Sequence, residues 1–215
     1  MKDLIIIGAS GFGREAMWVA ERMNEKSLEW NILGFIDDNS DLEGKEVGGY
    51  PVLGNINSVT KYPEAYYLCA VGASKVREKI ISTVDTLLPN AHYATLIDPT
   101  VQMSKRVSVG EGTIICAGNI ITVDIAIGKH VIINLDCTVG HDAILHDFVT
   151  LYPSVNVSGI SEIGRCTELG TGAQIIQAKT VGENTIIGAG AVVVKDIPAK
   201  CTAVGSPAKP IKFFE

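Results

Sequence analysis

Large aliphatic side chains recur at every sixth position through the C-terminal half of the chain. The series runs without an insertion and has seventeen members, which we call the marker residues. They are Ile97, Met103, Val109, Ile115, Ile121, Ile127, Ile133, Val139, Leu145, Leu151, Val157, Ile163, Leu169, Ile175, Val181, Ile187 and Val193. A period of six fits neither a helix nor a flat strand, and it is typical of a parallel β-helix built from hexapeptide repeats.

Each repeat predicts a short strand and a corner, so that three repeats close one triangular coil of eighteen residues. The fourth residue after a marker is mostly small or β-branched, as at Val101 and Val155, and should point inward with the marker. Side chains eighteen residues apart should then stack at the strand spacing of about 4.8 Å. The alternative, an antiparallel sandwich, would need period-two alternation and turns about every eight to twelve residues.

Strands and helices alternate over the first ninety residues. An apolar run at residues 4–7 predicts a buried strand, and similar runs follow at residues 32–36 and 67–71. Helices are predicted after the first and the third of these strands, the second helix with Val76, Ile80, Val84 and Leu87 on one face. This order predicts a small Rossmann-like βαβαβ domain at residues 1–90. Residues 91–215 then form the β-helix domain and a C-terminal tail, with residues 90–96 as the linker.

Composition narrows the function classes. The 215 residues are 47% hydrophobic and carry a net charge of −6 with scattered basic residues, which argues against nucleic acid or an anionic membrane as partner. The N-terminal apolar run is too short for a signal peptide or a membrane span, so a cytoplasmic protein is expected. Five cysteines without a C-x-x-C pair favour reduced thiols over a disulfide or zinc framework.

The first strand is followed by glycines at Gly8, Gly11 and Gly13, a spacing that departs from the dinucleotide fingerprint. Such glycines still allow a phosphate to approach the N-terminus of a helix. Asp37 and Asp38 follow the second strand, where an acid commonly meets a ribose or base. Ninety residues supply half of a dinucleotide fold, so a mononucleotide or nucleotide-linked sugar is the expected ligand. A tight turn without a ligand is the alternative.

The densest polar cluster on the β-helix surrounds His141. This histidine stands two positions after a marker, which places it outside near a corner, and Gly159 should stack over it one coil later. A glycine amide beside an exposed imidazole suits an oxyanion donor next to a general base. Asp142 or Asp136 could orient the ring, and the pattern does not choose between them. Cys137 is at an inward position, which argues against a cysteine nucleophile.

Two other functions compete with acyl transfer at this point. His141 and His146 are spaced like zinc ligands of γ-class carbonic anhydrases, which use a third histidine two coils earlier. Lys105 occupies that position. Because catalytic zinc normally has three protein ligands, no metal is expected. A non-catalytic nucleotide-sugar binding or scaffold protein is the other alternative, and it leaves the pairing of His141 with Gly159 unexplained.

Several segments together resemble the NeuD-type bacterial sugar acyltransferases over nearly the whole chain. They are residues 6–11, 34–38, 50–54, 140–142, 147–149, 158–159, 187–191 and 204–209, with Asn134. That family includes sialic acid O-acetyltransferases and N-acetyltransferases of nucleotide-linked 4-amino sugars.

The resemblance implies a left-handed β-helix and a homotrimer with active sites and an acetyl-CoA groove between subunits. His141 would be the general base and Gly159 would supply the oxyanion amide, with Asp142 as a further catalytic residue; whether Asp142 or Asp136 orients the ring stays open. The remaining implied contacts fall into three groups. Asn134 would lie near the acceptor, and the nucleotide of the sugar would be held by Gly11, Gly13 and Asp37 or Asp38. The pantetheine arm of CoA would lie near Gly159, Thr171 and Ala189. The nucleotide end of CoA would lie near Pro207 and Lys209.

The implied reaction is transfer of acetyl to the amine of a UDP- or GDP-linked amino sugar in bacterial surface glycan biosynthesis. O-acetylation of sialic acid or another glycan hydroxyl is the alternative within the family. The chain departs from the family at two positions. Thr150 replaces a histidine that helps to hold the acetyl carbonyl in some members, and Phe12 replaces the histidine of a frequent Gly-His-Ala segment.

Overall fold

The computed structural model describes residues 1–214. Its N-terminal part contains two helices and a parallel sheet whose four strands lie in the order Trp30–Ile36, Lys2–Ile7, Tyr66–Cys69 and His92–Tyr93. The elements are β1 (Lys2–Ile7), α1 (Gly11–Lys26), β2 (Trp30–Ile36), β3 (Glu46–Val47), β4 (Tyr50–Pro51), β5 (Tyr66–Cys69), α2 (Ser74–Leu87) and β6 (His92–Tyr93). Strand β6 lies where the sequence predicted a linker. None of the helices in residues 1–214 is long and apolar enough to cross a bilayer.

Seventeen strands of two residues follow, one for each marker. They are β7 (Leu96–Ile97), β8 (Gln102–Met103), β9 (Ser108–Val109), β10 (Ile114–Ile115), β11 (Ile120–Ile121), β12 (Ala126–Ile127), β13 (Ile132–Ile133), β14 (Thr138–Val139), β15 (Ile144–Leu145), β16 (Thr150–Leu151), β17 (Asn156–Val157), β18 (Glu162–Ile163), β19 (Glu168–Leu169), β20 (Gln174–Ile175), β21 (Thr180–Val181), β22 (Ile186–Ile187) and β23 (Val192–Val193). The prediction of a parallel β-helix is confirmed.

Every third strand pairs in parallel, so the β-helix is a prism with three faces. Ile115 aligns with Ile133, which is the eighteen-residue register that the repeat predicts. Face 1 contains β7, β10, β13, β16, β19 and β22, face 2 contains β8, β11, β14, β17, β20 and β23, and face 3 contains β9, β12, β15, β18 and β21.

The markers and the apolar residues among those four positions after them form one continuous core. Glycine commonly follows a marker because the next coil passes too close for a side chain. A Cβ at Gly164, for example, would lie 2.5 Å from the backbone nitrogen of Glu183. The far end of the prism is closed by a hairpin of β24 (Cys201–Val204) and β25 (Lys209–Phe213). Ala203 and Ala208 of this hairpin region join the core, as a repeat protein requires of its terminal cap.

The N-terminal sheet and helices dock on face 1. Outward-pointing isoleucines are buried there, as at Ile114 and Ile132, whereas Ile120 on face 2 and Ile144 on face 3 are exposed. Helix α1 is tied to the first coil by an ion pair between Arg22 Nε and Asp98 Oδ2 at 2.6 Å. The apolar face predicted for the second helix is partly wrong, because Val76 is half exposed. The fully buried residue beside it is Arg77.

Candidate active site

His141 lies at the corner that follows β14, between faces 2 and 3. Its imidazole is half exposed, and Nδ1 lies 2.8 Å from Asp142 Oδ2. Neighbouring side chains usually diverge, but Asp142 has a left-handed backbone (φ 59°) that Asp tolerates well, and here the two groups meet. Asp136 lies one corner earlier, near Gly118. The geometry therefore pairs Asp142, and not Asp136, with the histidine.

Gly159 packs directly against the imidazole. A Cβ at this position would lie 2.6 Å from His141 Nε2 and 2.7 Å from Cε1. The Gly159 N–H donates to no acceptor among residues 1–214. A free amide donor and the outer imidazole nitrogen thus lie side by side at one corner, as the stacking of repeats predicted.

Gly159 is unusual among the residues that stand two positions after a marker, a signal that the sequence prediction did not use. Seventeen residues stand two positions after a marker, and Gly159 is the one glycine among them. Ala117 and Ala189 occupy equivalent positions, so the corner backbone itself accepts alanine. Gly159 has no positive φ. The absence of a side chain is therefore required by the histidine and not by the turn.

Two nearby groups do not take part in this pairing. Burial raises the pKa of the Cys137 thiol to about 11, which leaves it protonated at neutral pH and unsuited to nucleophilic attack. His146 Nε2 lies 2.7 Å from Glu162 Oε1 on face 3, away from Gly159. Within residues 1–214, no three His, Cys, Asp or Glu side chains are grouped to hold a metal ion.

A cavity of about 200 Å³ lies at the carboxyl ends of β1 and β2 and is lined by both predicted acids. Asp37 accepts hydrogen bonds from the Ala9 and Asn39 N–H groups, each at 2.8 Å. Asp38 accepts from the Ile56 N–H at 2.8 Å. These carboxylates fix the loops around the cavity while a second oxygen of Asp38 remains available to a ligand.

The two predicted glycines have different surroundings. Gly13 is buried, and a Cβ there would overlap the Gly8 carbonyl oxygen, so this glycine lets α1 pack on the loop after β1. Gly11 is exposed at the first position of α1. Neither residue lines the cavity that holds Asp37 and Asp38.

A second cleft of about 150 Å³ opens between α1 and face 1. Its lining consists of Phe12, Glu15, Gly72, Ile132, Asn134, Thr150 and Tyr152. Asn134 accepts a hydrogen bond from the Leu135 N–H through Oδ1, which leaves its amide NH₂ available. The two cavities are neighbours along the loop after β5, since Val71 lines the first and Gly72 the second.

The remaining predicted residues lie at a different corner from His141. Asn134 follows β13, Thr171 follows β19 and Ala189 follows β22, so all three lie at the corner between faces 1 and 2. Thr171 and Ala189 are exposed in coils above the cleft, and Pro207 and Lys209 are exposed in the capping hairpin. Within one chain, the width of face 2 separates this corner from the histidine.

Known proteins match the chain over both of its parts. A family model described as the PglD N-terminal domain matches residues 3–84. The GDP-perosamine N-acetyltransferase of Escherichia coli O157:H7 is 30% identical over 216 residues, which cover 96% of this chain and 95% of that protein.

Solved structures are similar over the same extent. Perosamine N-acetyltransferase from Caulobacter crescentus, solved as a histidine-to-asparagine variant with CoA and GDP-perosamine, aligns with a TM-score of 0.88 at 29% identity, covering 98% of this chain and 97% of that one. The acetyltransferase domain of PglB from Neisseria gonorrhoeae, in complex with acetyl coenzyme A, aligns with a TM-score of 0.86 at 31% identity, covering 98% and 99%.

Proposed function

The chain belongs to the NeuD-type sugar acetyltransferase family, and we propose that it transfers acetyl from acetyl-CoA to the amine of a nucleotide-linked amino sugar. The observation that carries this proposal is the free Gly159 amide beside the Asp142-paired imidazole of His141. Relatives that match nearly the whole chain are named for N-acetylation of GDP-perosamine, so that compound is the first acceptor to test.

The proposed chemistry is direct transfer in one active site. The amine attacks the thioester carbonyl while His141 Nε2 takes its proton, and Asp142 holds the other ring nitrogen in its N–H form. The oxygen of the tetrahedral intermediate accepts a hydrogen bond from the Gly159 N–H. When the C–S bond breaks, the imidazolium returns the proton to the departing thiolate, which gives the N-acetyl sugar and CoA thiol.

The acceptor would occupy both the cavity of the N-terminal part and the cleft between that part and face 1. Its nucleotide fits the larger cavity, where Asp37 and Asp38 can accept hydrogen bonds, with Gly11 at the nearby N-terminus of α1. Its sugar fits the cleft that contains Asn134. The cleft has a volume of about 150 Å³ and is open to solvent, so it can receive one sugar ring.

A homotrimer would complete the site. The histidine and the acceptor cleft lie at opposite edges of face 2, so one chain cannot bring them together, whereas the corner of a neighbouring prism can. Acetyl-CoA would lie between the two prisms, along Thr171 and Ala189 and toward Pro207 and Lys209. Ile160 and Ile176 are exposed beside the histidine corner and suit burial against pantetheine or the neighbour. Light scattering should give the mass of three chains, and an active monomer would contradict the arrangement.

A thiol-release assay tests the proposed activity. We expect the wild-type protein to release CoA thiol from acetyl-CoA when GDP-perosamine or a UDP-linked 4-amino sugar is present, with mass spectrometry showing one added acetyl group on the sugar. Release with free sialic acid alone would instead establish O-acetylation. Binding of a nucleotide sugar without thiol release would establish the non-catalytic alternative.

A further inference from the structure

Arg77 is a fully buried cation that hydrogen-bonds to oxygen atoms but, among residues 1–214, to no carboxylate. Burial lowers its pKa to about 10, so it remains charged at neutral pH. Its acceptors come from both parts of the chain, so Arg77 links the N-terminal part to the prism through hydrogen bonds. They are the carbonyl oxygens of Val71, Gly72, His130, Phe148 and Val149 and the hydroxyl of Thr150.

Thr150 completes the same network from the prism. Its hydroxyl is buried, donates to the Gly72 carbonyl at 2.8 Å and accepts from Arg77 Nη2 at 2.9 Å. Gly72 therefore receives hydrogen bonds from two side chains, one on each side of the interface. Since an unmade bond to a buried carbonyl is costly, these two bonds set where Gly72 lies relative to face 1.

The start of α2 is held to face 1 by a third group. Glu168 Oε1 accepts from the Ser74 N–H at 2.8 Å and from the Ser74 hydroxyl at 2.9 Å. Tyr152, which lines the cleft, donates to the other oxygen of Glu168 at 3.2 Å. The loop between β5 and α2 is thus fixed to the prism at Gly72 and at Ser74.

This loop is the shared wall of the two cavities proposed for the acceptor. Val71 faces the cavity with Asp37 and Asp38, and Gly72 faces the cleft with Asn134. We propose that Thr150 and Arg77 are positioning residues that hold the sugar cleft in register with the nucleotide cavity. The inference rests on the proposed function, because it assigns both cavities to one acceptor molecule.

Thr150→Val and Thr150→Ser separate positioning from simple stability. Valine keeps the shape of threonine but cannot donate to Gly72, whereas Arg77 still bonds to the neighbouring carbonyls, so the fold should persist. We expect Thr150→Val to raise KM for GDP-perosamine about tenfold, the effect of one lost buried hydrogen bond. KM for acetyl-CoA should remain unchanged. Thr150→Ser restores the hydroxyl and should return KM for GDP-perosamine to within about twofold of wild type.

The outcomes distinguish this inference from the proposed function. A wild-type KM for GDP-perosamine in Thr150→Val, or equal changes in both KM values together with a lower melting temperature, would overturn the positioning role. If wild-type protein transfers no acetyl, the proposed function fails, and GDP binding by calorimetry still tests the loop. A lower GDP affinity in Thr150→Val than in Thr150→Ser supports the inference, and equal affinities reject it.

Discussion

Replacing His141 by alanine is expected to lower kcat for acetyl transfer by about 10²–10⁴, the usual contribution of general base catalysis. The Nε2 atom is the outer nitrogen of a ring whose Nδ1 is already paired with Asp142. The imidazole is also the group against which Gly159 packs, so its removal takes the base away from the amide donor. Thiol release from acetyl-CoA in the presence of GDP-perosamine measures the loss.

Binding and a matched histidine provide the controls for this variant. The imidazole is half exposed, so its removal should leave the melting temperature and the affinity for CoA, measured by calorimetry, nearly unchanged. His146 is equally exposed and is also paired with a carboxylate, and His146→Ala should keep wild-type kcat. A His141→Ala protein that retains more than a tenth of the wild-type rate would reject the assignment of the base.

The strict period explains why so much of the prism, and the placement of Gly159 against His141, could be predicted from sequence. Because the parallel strands pair at a fixed register, residues eighteen positions apart are neighbours in the structure. Gly159 could therefore be placed over His141 from the sequence alone. The pairing of Asp142 could not be predicted in the same way. Asp136 and Asp142 stand at equivalent positions of successive repeats and share the same left-handed backbone. They differ in their corner, because His141 shares a corner with Asp142 and not with Asp136.

The docking of the N-terminal part could not be read from the sequence either. Ile114 and Ile120 are the same residue type at the same repeat position, yet the first is buried beneath α1 and the second is exposed. The amphipathic pattern of α2 was misleading for a related reason. Arg77 is charged in sequence, but it is buried because carbonyl oxygens of the prism corners and of the loop after β5 accept its N–H groups.

Gly159→Ala is expected to lower kcat by about 10²–10³, the effect of losing one oxyanion donor. The new methyl group would lie 2.6 Å from His141 Nε2, so the ring or the amide must move. Either movement separates the base from the donor. Because the imidazole is half exposed and can turn away, the cost in stability should stay below about 1 kcal/mol, with at most a small drop in melting temperature.

The double variant His141→Ala/Gly159→Ala tests whether the histidine is the cause. Ala117 stands at the equivalent position of another repeat, which shows that this position accepts a methyl group. With the imidazole removed, the alanine at position 159 should cost no stability, and the double variant should melt at the temperature of His141→Ala. Equal destabilisation by Gly159→Ala in both backgrounds would show that the glycine serves the turn. In that case the glycine would not be required by the histidine, and the assignment of its amide as the oxyanion donor would be rejected.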